Sequence, residues 1–162
     1  MPEIKTQPLT PEAFAPFGQI IDTAAVAPVE MNQGRAKRWF DPARVELGGA
    51  HPRPIISLCR SDPVALPYTF SFVERHPFGS QAFYPLTGPF LVIVAPDHGG
   101  APGVPLAFLT AEGQGVNFAM NTWHGVLSPL GSVSDFIIVD RAGDGHNLEL
   151  HDFAEPYTVV AD

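Results

Sequence analysis

A chain of 162 residues with 45% hydrophobic composition is long enough for one domain with a buried core and too short for two of ordinary size. A formal net charge of −8, with nine Lys and Arg and no run of them, excludes a nucleic-acid partner gripped through its phosphates. The single cysteine, Cys59, excludes an internal disulfide and a cysteine-built zinc site and suits a reducing compartment, so a cytoplasmic protein is expected.

The opening "MPEIKTQPLT" has no basic flank leading into an apolar core and does not read as a leader peptide. Beyond it, 18 prolines and 15 glycines punctuate the chain and leave little room for long helices. One helix is expected, in "TPEAFAPFG": Thr10 can cap, Pro11 suits the first helical position, Glu12 favours the positive end, and Gly18 closes the turn. "DTAAVAPVEMNQG" and "PDHGGAPGVP" read as long loops, and a loop of the first kind can fold over a small ligand. Short strands are expected at Gln19–Asp22, Ala36–Phe40, Pro54–Cys59, Tyr68–His76, Gln81–Leu86, Phe90–Ala95, Leu106–Leu109, Gly115–Phe118, Trp123–Leu127, Ser134–Arg141 and Leu148–Phe153. The apolar "FLVIVAP" from Phe90 is too short to cross a bilayer, so no membrane partner is expected. No repeat and no domain boundary interrupts residues 1–162, and many short strands between turn residues indicate an all-β sandwich or barrel.

The stretch "YTFSFVERHP" ends an aromatic-rich strand in Glu74 and His76. By alternation, Tyr68, Phe70, Phe72, Glu74 and His76 share one face, expected to be the buried one, with Thr69, Ser71, Val73 and Arg75 on the other. An inward carboxylate needs a partner, because leaving it bare costs several kcal/mol. His124, on a face shared with Val126, is a second inward histidine. If the sheet closes, Glu74, His76 and His124 meet, with Gln81 entering from the next strand. Two imidazoles, a carboxylate and an amide oxygen make a divalent-metal set. The same residues would equally make a hydrogen-bonded Glu74/His76 pair with His124 packed against Trp123.

"ERH" followed by Gln81 and Gly88 resembles the first motif of the cupin barrels, with Glu in place of the first His and Gln in place of the Glu. Gly115 and His124 match the second motif loosely, with Asn121 standing where a Pro is usual. More closely, "ERHPFGSQAFYPL", "GQGVNF" with "NTWHGVL", and "DFIIVDR", preceded by "MNQG" and "RWFD", resemble the ureidoglycolate lyases in order and spacing. The resemblance implies a single cupin-like double-stranded β-helix (jelly-roll) barrel, a homodimer, and cleavage of ureidoglycolate to glyoxylate and urea in allantoin and purine nitrogen catabolism. It also implies a divalent metal, nickel or zinc among the candidates. Two alternatives stand beside it: a ureidoglycolate amidohydrolase releasing ammonia, and a non-catalytic cupin that binds a small acid.

A substrate of that kind carries a carboxylate, a hydroxyl and a ureido nitrogen on neighbouring atoms, and needs a cation, a base and an acid. A guanidinium fork suits the carboxylate, and Arg38 in "RWFD" is the first candidate, with pairing to Asp41 as its structural alternative. Arg60 and Arg141 are rivals, the latter beside Asp140, and Asn32 with Gly34 lies in the first long loop. His76, His124 and Glu74 are the expected proton carriers. No serine sits in a Gly-x-Ser-x-Gly elbow, and Cys59, after the apolar "PIISLC", reads as packing rather than a nucleophile.

Overall fold

Thr10 starts the one helix, its hydroxyl accepting from the Ala13 N–H at 3.3 Å, with Pro11 and Glu12 in the first turn as expected. In the computed structural model, which describes residues 1–162, this helix α1 (Pro11–Phe14) is a single turn and does not run on towards Gly18. Pro16 has no N–H to continue it. Gly18 instead opens a strand at φ +149, where an added Cβ would fall 1.9 Å from the Asn117 carbonyl oxygen. Glycine is needed there for backbone conformation and for strand approach at once.

Sixteen strands follow from the punctuation: β1 (Glu3–Pro8), β2 (Gly18–Ile21), β3 (Val29–Met31), β4 (Ala36–Arg38), β5 (Arg53–Ser61), β6 (Tyr68–Arg75), β7 (Gln81–Pro85) and β8 (Phe90–Ala95), then β9 (Asp97–His98), β10 (Ala101–Pro102), β11 (Leu106–Leu109), β12 (Gly115–Phe118), β13 (Trp123–His124), β14 (Ser128–Pro129), β15 (Ser134–Ala142) and β16 (Glu149–Val160). No helix is long and apolar enough to cross a membrane.

One sheet runs β11-β1-β16-β6-β13-β8-β14, and a further pairing of β11 with β8 closes six of its strands into a barrel. A five-stranded sheet, β2-β12-β7-β15-β5, lies against part of its outside. The two cores follow from strand alternation. Leu91, Ile93 and Ala95 of β8 join Phe70, Val73, Ala107, Trp123 and Val159 in a cluster inside the closed barrel. Phe90, Val92 and Val94 point the other way and pack with Phe83, Val116, Phe118 and Phe136 of the second sheet, roofed by Phe14 and Phe17. A fully buried Phe stabilises by about 1.5–3 kcal/mol over an exposed one, and Phe14, Phe90, Phe108 and Phe136 are all in that state. The expected cupin-like all-β barrel with one short N-terminal helix is what the chain forms.

Several local expectations are corrected. The aromatic row of β6 does not continue into Glu74: Phe70 and Val73, three residues apart, lie in the same barrel core, and Phe72 is 36% exposed. Alternation slips where the partner strand β16 shifts register between Asp152 and Tyr157. β13 stops at His124, and Val126, expected to share its face, is 42% exposed. The segment "PIISLC" is not buried either. β5 is an edge strand whose Ile56 and Leu58 are 78% and 75% exposed. The two long loops each carry a small hairpin, β3–β4 and β9–β10.

Candidate active site

The register of β6, β13 and β8 builds the site. Glu74 pairs with His124, and His124 with Val94, so all three project from the same face of the barrel wall. Val94 belongs to the core between the two sheets, which places Glu74 and His124 in that layer, behind the strand face that carries Val73 and Trp123. His76 follows β6 directly, tied by its carbonyl to the Asn121 N–H at 2.9 Å. The side chains of Glu74, His76 and His124 bring one ligand atom each within 4.8 Å of one another, and His76 Nε2 lies 3.8 Å from Glu74 Oε1.

Both imidazoles are held at the same nitrogen. His76 Nδ1 lies 2.8 Å from the Asn147 carbonyl and His124 Nδ1 lies 2.9 Å from the Gly125 carbonyl. A carbonyl only accepts, so each Nδ1 carries the proton and each Nε2 is left with a bare lone pair. Neither Nε2 has a partner, although both are buried. His124 is further clamped by Phe118, stacked at 4.3 Å and 7°, and by the edge of Phe83 at 6.0 Å. Burial pulls the His124 pKa down to about 3, with the neighbouring His76 acting in the same direction and the Gly125 carbonyl against them, so this ring is neutral near pH 7. Burial also raises the Glu74 carboxyl above its ordinary value, partly offset by His76.

Two inward lone pairs beside a carboxylate, with no protein donor to meet them, call for an electrophile. The set of two imidazole nitrogens and one carboxylate oxygen suits a divalent cation, with a proton or a substrate hydroxyl as the other species that would satisfy it.

Across the layer stand Gln81, expected at the site from the sequence, and Asp140. Gln81 pairs in register with Phe118, the ring stacked on His124, and its Nε2 donates to Asp140 Oδ2 at 3.1 Å. Gln81 Oε1 and Asp140 Oδ1 are both buried and without partners. Four of the five such atoms in the chain are thus His76 Nε2, His124 Nε2, Gln81 Oε1 and Asp140 Oδ1; the fifth is Trp39 Nε1. Alternation in "DFIIVDR" puts Asp140 on the face of Phe136 and Ile138, which pack in this layer, and Arg141 on the other.

The family model described as ureidoglycolate lyase matches residues 1–160. This chain belongs to the ureidoglycolate lyase family. A ureidoglycolate lyase from Chelativorans sp. (strain BNC1) is 54% identical over 160 residues, 98% of this chain and 97% of the relative. Ureidoglycolate lyase 2 from Rhizobium meliloti (strain 1021) is 53% identical over 154 residues, 94% of each. Among solved structures, a dTDP sugar isomerase from Desulfovibrio desulfuricans G20 superposes with a TM-score of 0.52 at 13% identity, covering 86% of this chain and 87% of the other, a likeness of fold alone.

In this member of the ureidoglycolate lyase family, the quoted strings fall on the site: "ERHP" supplies Glu74 and His76, "GVNF" supplies Phe118, "NTWHG" supplies His124, and "DFIIVDR" supplies Asp140. The arginines are placed otherwise. Arg38 ends the β3–β4 hairpin with its guanidinium 4.1 Å over the Phe40 ring, and it does not pair with Asp41. Asn32 sits in the turn of that hairpin at φ 53. Arg60 forks onto Asp135 at 2.7 and 2.9 Å, with its pKa raised by that bond. Arg141 does not pair with Asp140. It is buried and donates to the carbonyls of Gly48, Ala50 and Asp144, anchoring the segment that precedes β5.

Proposed function

We propose that this chain cleaves ureidoglycolate to glyoxylate and urea, and that Glu74, His76 and His124 do the work. The observation that carries the proposal is the pinning of both imidazoles at Nδ1, which leaves two Nε2 lone pairs converging beside Glu74. The reacting carbon bears a hydroxyl and a nitrogen. Once the hydroxyl proton is withdrawn, the oxygen collapses to an aldehyde and the ureido nitrogen leaves as it is protonated. No water need attack.

Glu74, His76 and His124 would hold a divalent ion, nickel or zinc, whereas Gln81, expected from the sequence as a fourth donor, is bonded through Nε2 to Asp140. Such an ion would supply Lewis acidity that lowers the pKa of the substrate hydroxyl. Asn147 and Gly125 keep both Nε2 atoms free to bind or to accept a proton, and Phe118 and Phe83 fix the plane of His124. Without an ion the same atoms divide the proton work. The Nε2 lone pairs of His76 and His124 are placed to take the hydroxyl proton, and the Glu74 carboxyl beside them to exchange a proton with the leaving nitrogen.

Arg38 is proposed as the carboxylate clamp, because its guanidinium meets an aromatic face and no acidic partner. Asn32, on the same hairpin, is proposed to accompany it, and Arg60 stands behind it, already engaged by Asp135. A homodimer belongs to the same reading, supported by the exposed Ile56 and Leu58 on the edge strand β5. A cytoplasmic location is supported by the lone, unpaired Cys59. The test is incubation with ureidoglycolate: release of glyoxylate is expected, and binding without turnover would favour a small-acid-binding protein instead.

A further inference from the structure

The geometry points to Gln81 and Asp140 as the subsite that recognises the ureido group, an inference that rests on the lyase reading of the same site. Asp140 Oδ2 accepts from Gln81 Nε2 at 3.1 Å. A carboxylate can only accept, so this bond decides the orientation of the amide: its nitrogen faces Asp140 and its oxygen faces away. The pair therefore presents two partnerless acceptors, Gln81 Oε1 and Asp140 Oδ1, beside the second N–H of the Gln81 amide. Both oxygens are buried and neither has a partner, while Gln81 as a whole is 9% exposed. Leaving two such atoms unsatisfied is costly, which makes a donor-bearing ligand the expected complement.

The place is right as well as the chemistry. Gln81 lies in register with Phe118, whose ring stacks on His124. Asp140 shares a face of β15 with Phe136 and Ile138, the residues that line the layer between the sheets. The acceptor pair and the histidines thus occupy facing walls of one layer. A urea moiety offers N–H groups on both nitrogens, donors that suit these two buried acceptors. A carboxylate or an aldehyde offers none. Gln81 Oε1 is assigned here to the substrate rather than to an ion, with Asp140 as the residue that fixes its direction.

The experiment measures binding of ureidoacetate, which keeps the ureido group and carboxylate but lacks the hydroxyl needed for cleavage, alongside glyoxylate, which has no N–H. Asp140→Asn must spoil the acceptor pair. The new amide either places its own NH2 where an acceptor stood or donates to Gln81 and turns that amide round. Asp140→Asn and Gln81→Met are expected to weaken ureidoacetate by about 10-fold or more while leaving glyoxylate affinity within about 2-fold. Melting curves of both variants accompany the titrations, and Gln81→Met keeps the side-chain length if Asp140→Asn folds poorly. Equal weakening of both ligands, or of neither, would overturn the subsite and leave the lyase reading intact. Wild-type protein that does not bind ureidoacetate would also overturn it. Wild-type protein that binds ureidoacetate but releases no glyoxylate from ureidoglycolate would sink the lyase reading and leave the subsite standing.

Discussion

His124 is the most constrained residue of the site, and its burial has a pH signature. In metal-free protein the ring's folded pKa is about 3, well below the ordinary value of 6.5, so the unfolded chain binds the proton more readily between those limits. Stability from this residue is complete above about pH 6.5 and drains away as pH falls towards 3. Glu74, with a raised pKa, acts in the opposite sense: its contribution is present at low pH and is lost as pH rises through its folded value. In a Glu74→Gln background, therefore, His124→Phe should flatten the fall in Tm between pH 7 and 4; an unchanged slope would mean that His124 is not buried neutral. Metal is tested separately. His76→Ala should lose bound divalent metal and activity together while its circular dichroism persists. Fully active wild-type protein that contains no metal and withstands strong chelators would make these residues the direct acid and base. Arg38→Lys keeps the charge but loses the fork, and should lower kcat/KM by roughly 10- to 100-fold, about 1.4–2.8 kcal/mol. Unchanged kinetics would move the clamp to Arg60.

At the scale of elements, Gly18 shows how a local choice supports the site. It holds β2 against β12, and β12 carries the Phe118 ring that stacks on His124. Gly18→Ala sets a Cβ against the Asn117 carbonyl oxygen at a backbone angle that disfavours side chains, and should destabilise by about 2–4 kcal/mol, read from the denaturant midpoint. A shift of under about 0.5 kcal/mol would show that the strands simply separate there. The residue types at strand ends made much of this site legible in advance: a Glu and a His closing a greasy strand, and a second His between Trp123 and Gly125, do meet. Their facing does not follow from unbroken alternation along β6. Strict alternation through "YTFSFVER" put Phe70 and Glu74 on one face, and the register shift in β16, a feature of the partner strand, separates them. Parallel pairing hid β1 in the same way, since "EIKTQP" looks like a charged terminus until β11 and β16 flank it. Asp140 and Arg141 are neighbours in sequence, but alternation sends them to opposite faces of β15, so the pairing that adjacency suggests does not form and Asp140 is not legible as a site residue.

For the whole molecule, the closed barrel and its covering sheet leave one long apolar edge, β5, with Ile56 and Leu58 outermost. Paired across a twofold axis, two such edges would cover each other. Ile56→Asp with Leu58→Asp should convert a dimer to a folded monomer by light scattering, and wild-type protein that is monomeric at tens of micromolar would remove that role from β5. The bond expected to break is the one between the hydroxyl-bearing carbon and the ureido nitrogen. Hydrolysis at the urea carbonyl would need a strongly activated water against a carbonyl blunted by two nitrogens, whereas a base, an acid and a facing acceptor pair suit elimination at the neighbouring carbon. Turnover of ureidoglycolate in 18O-labelled water, with urea and ammonia both measured, tests this directly. Cleavage of that carbon–nitrogen bond predicts urea equal to glyoxylate, with no label in the urea and no ammonia. Stoichiometric ammonia without urea would contradict it.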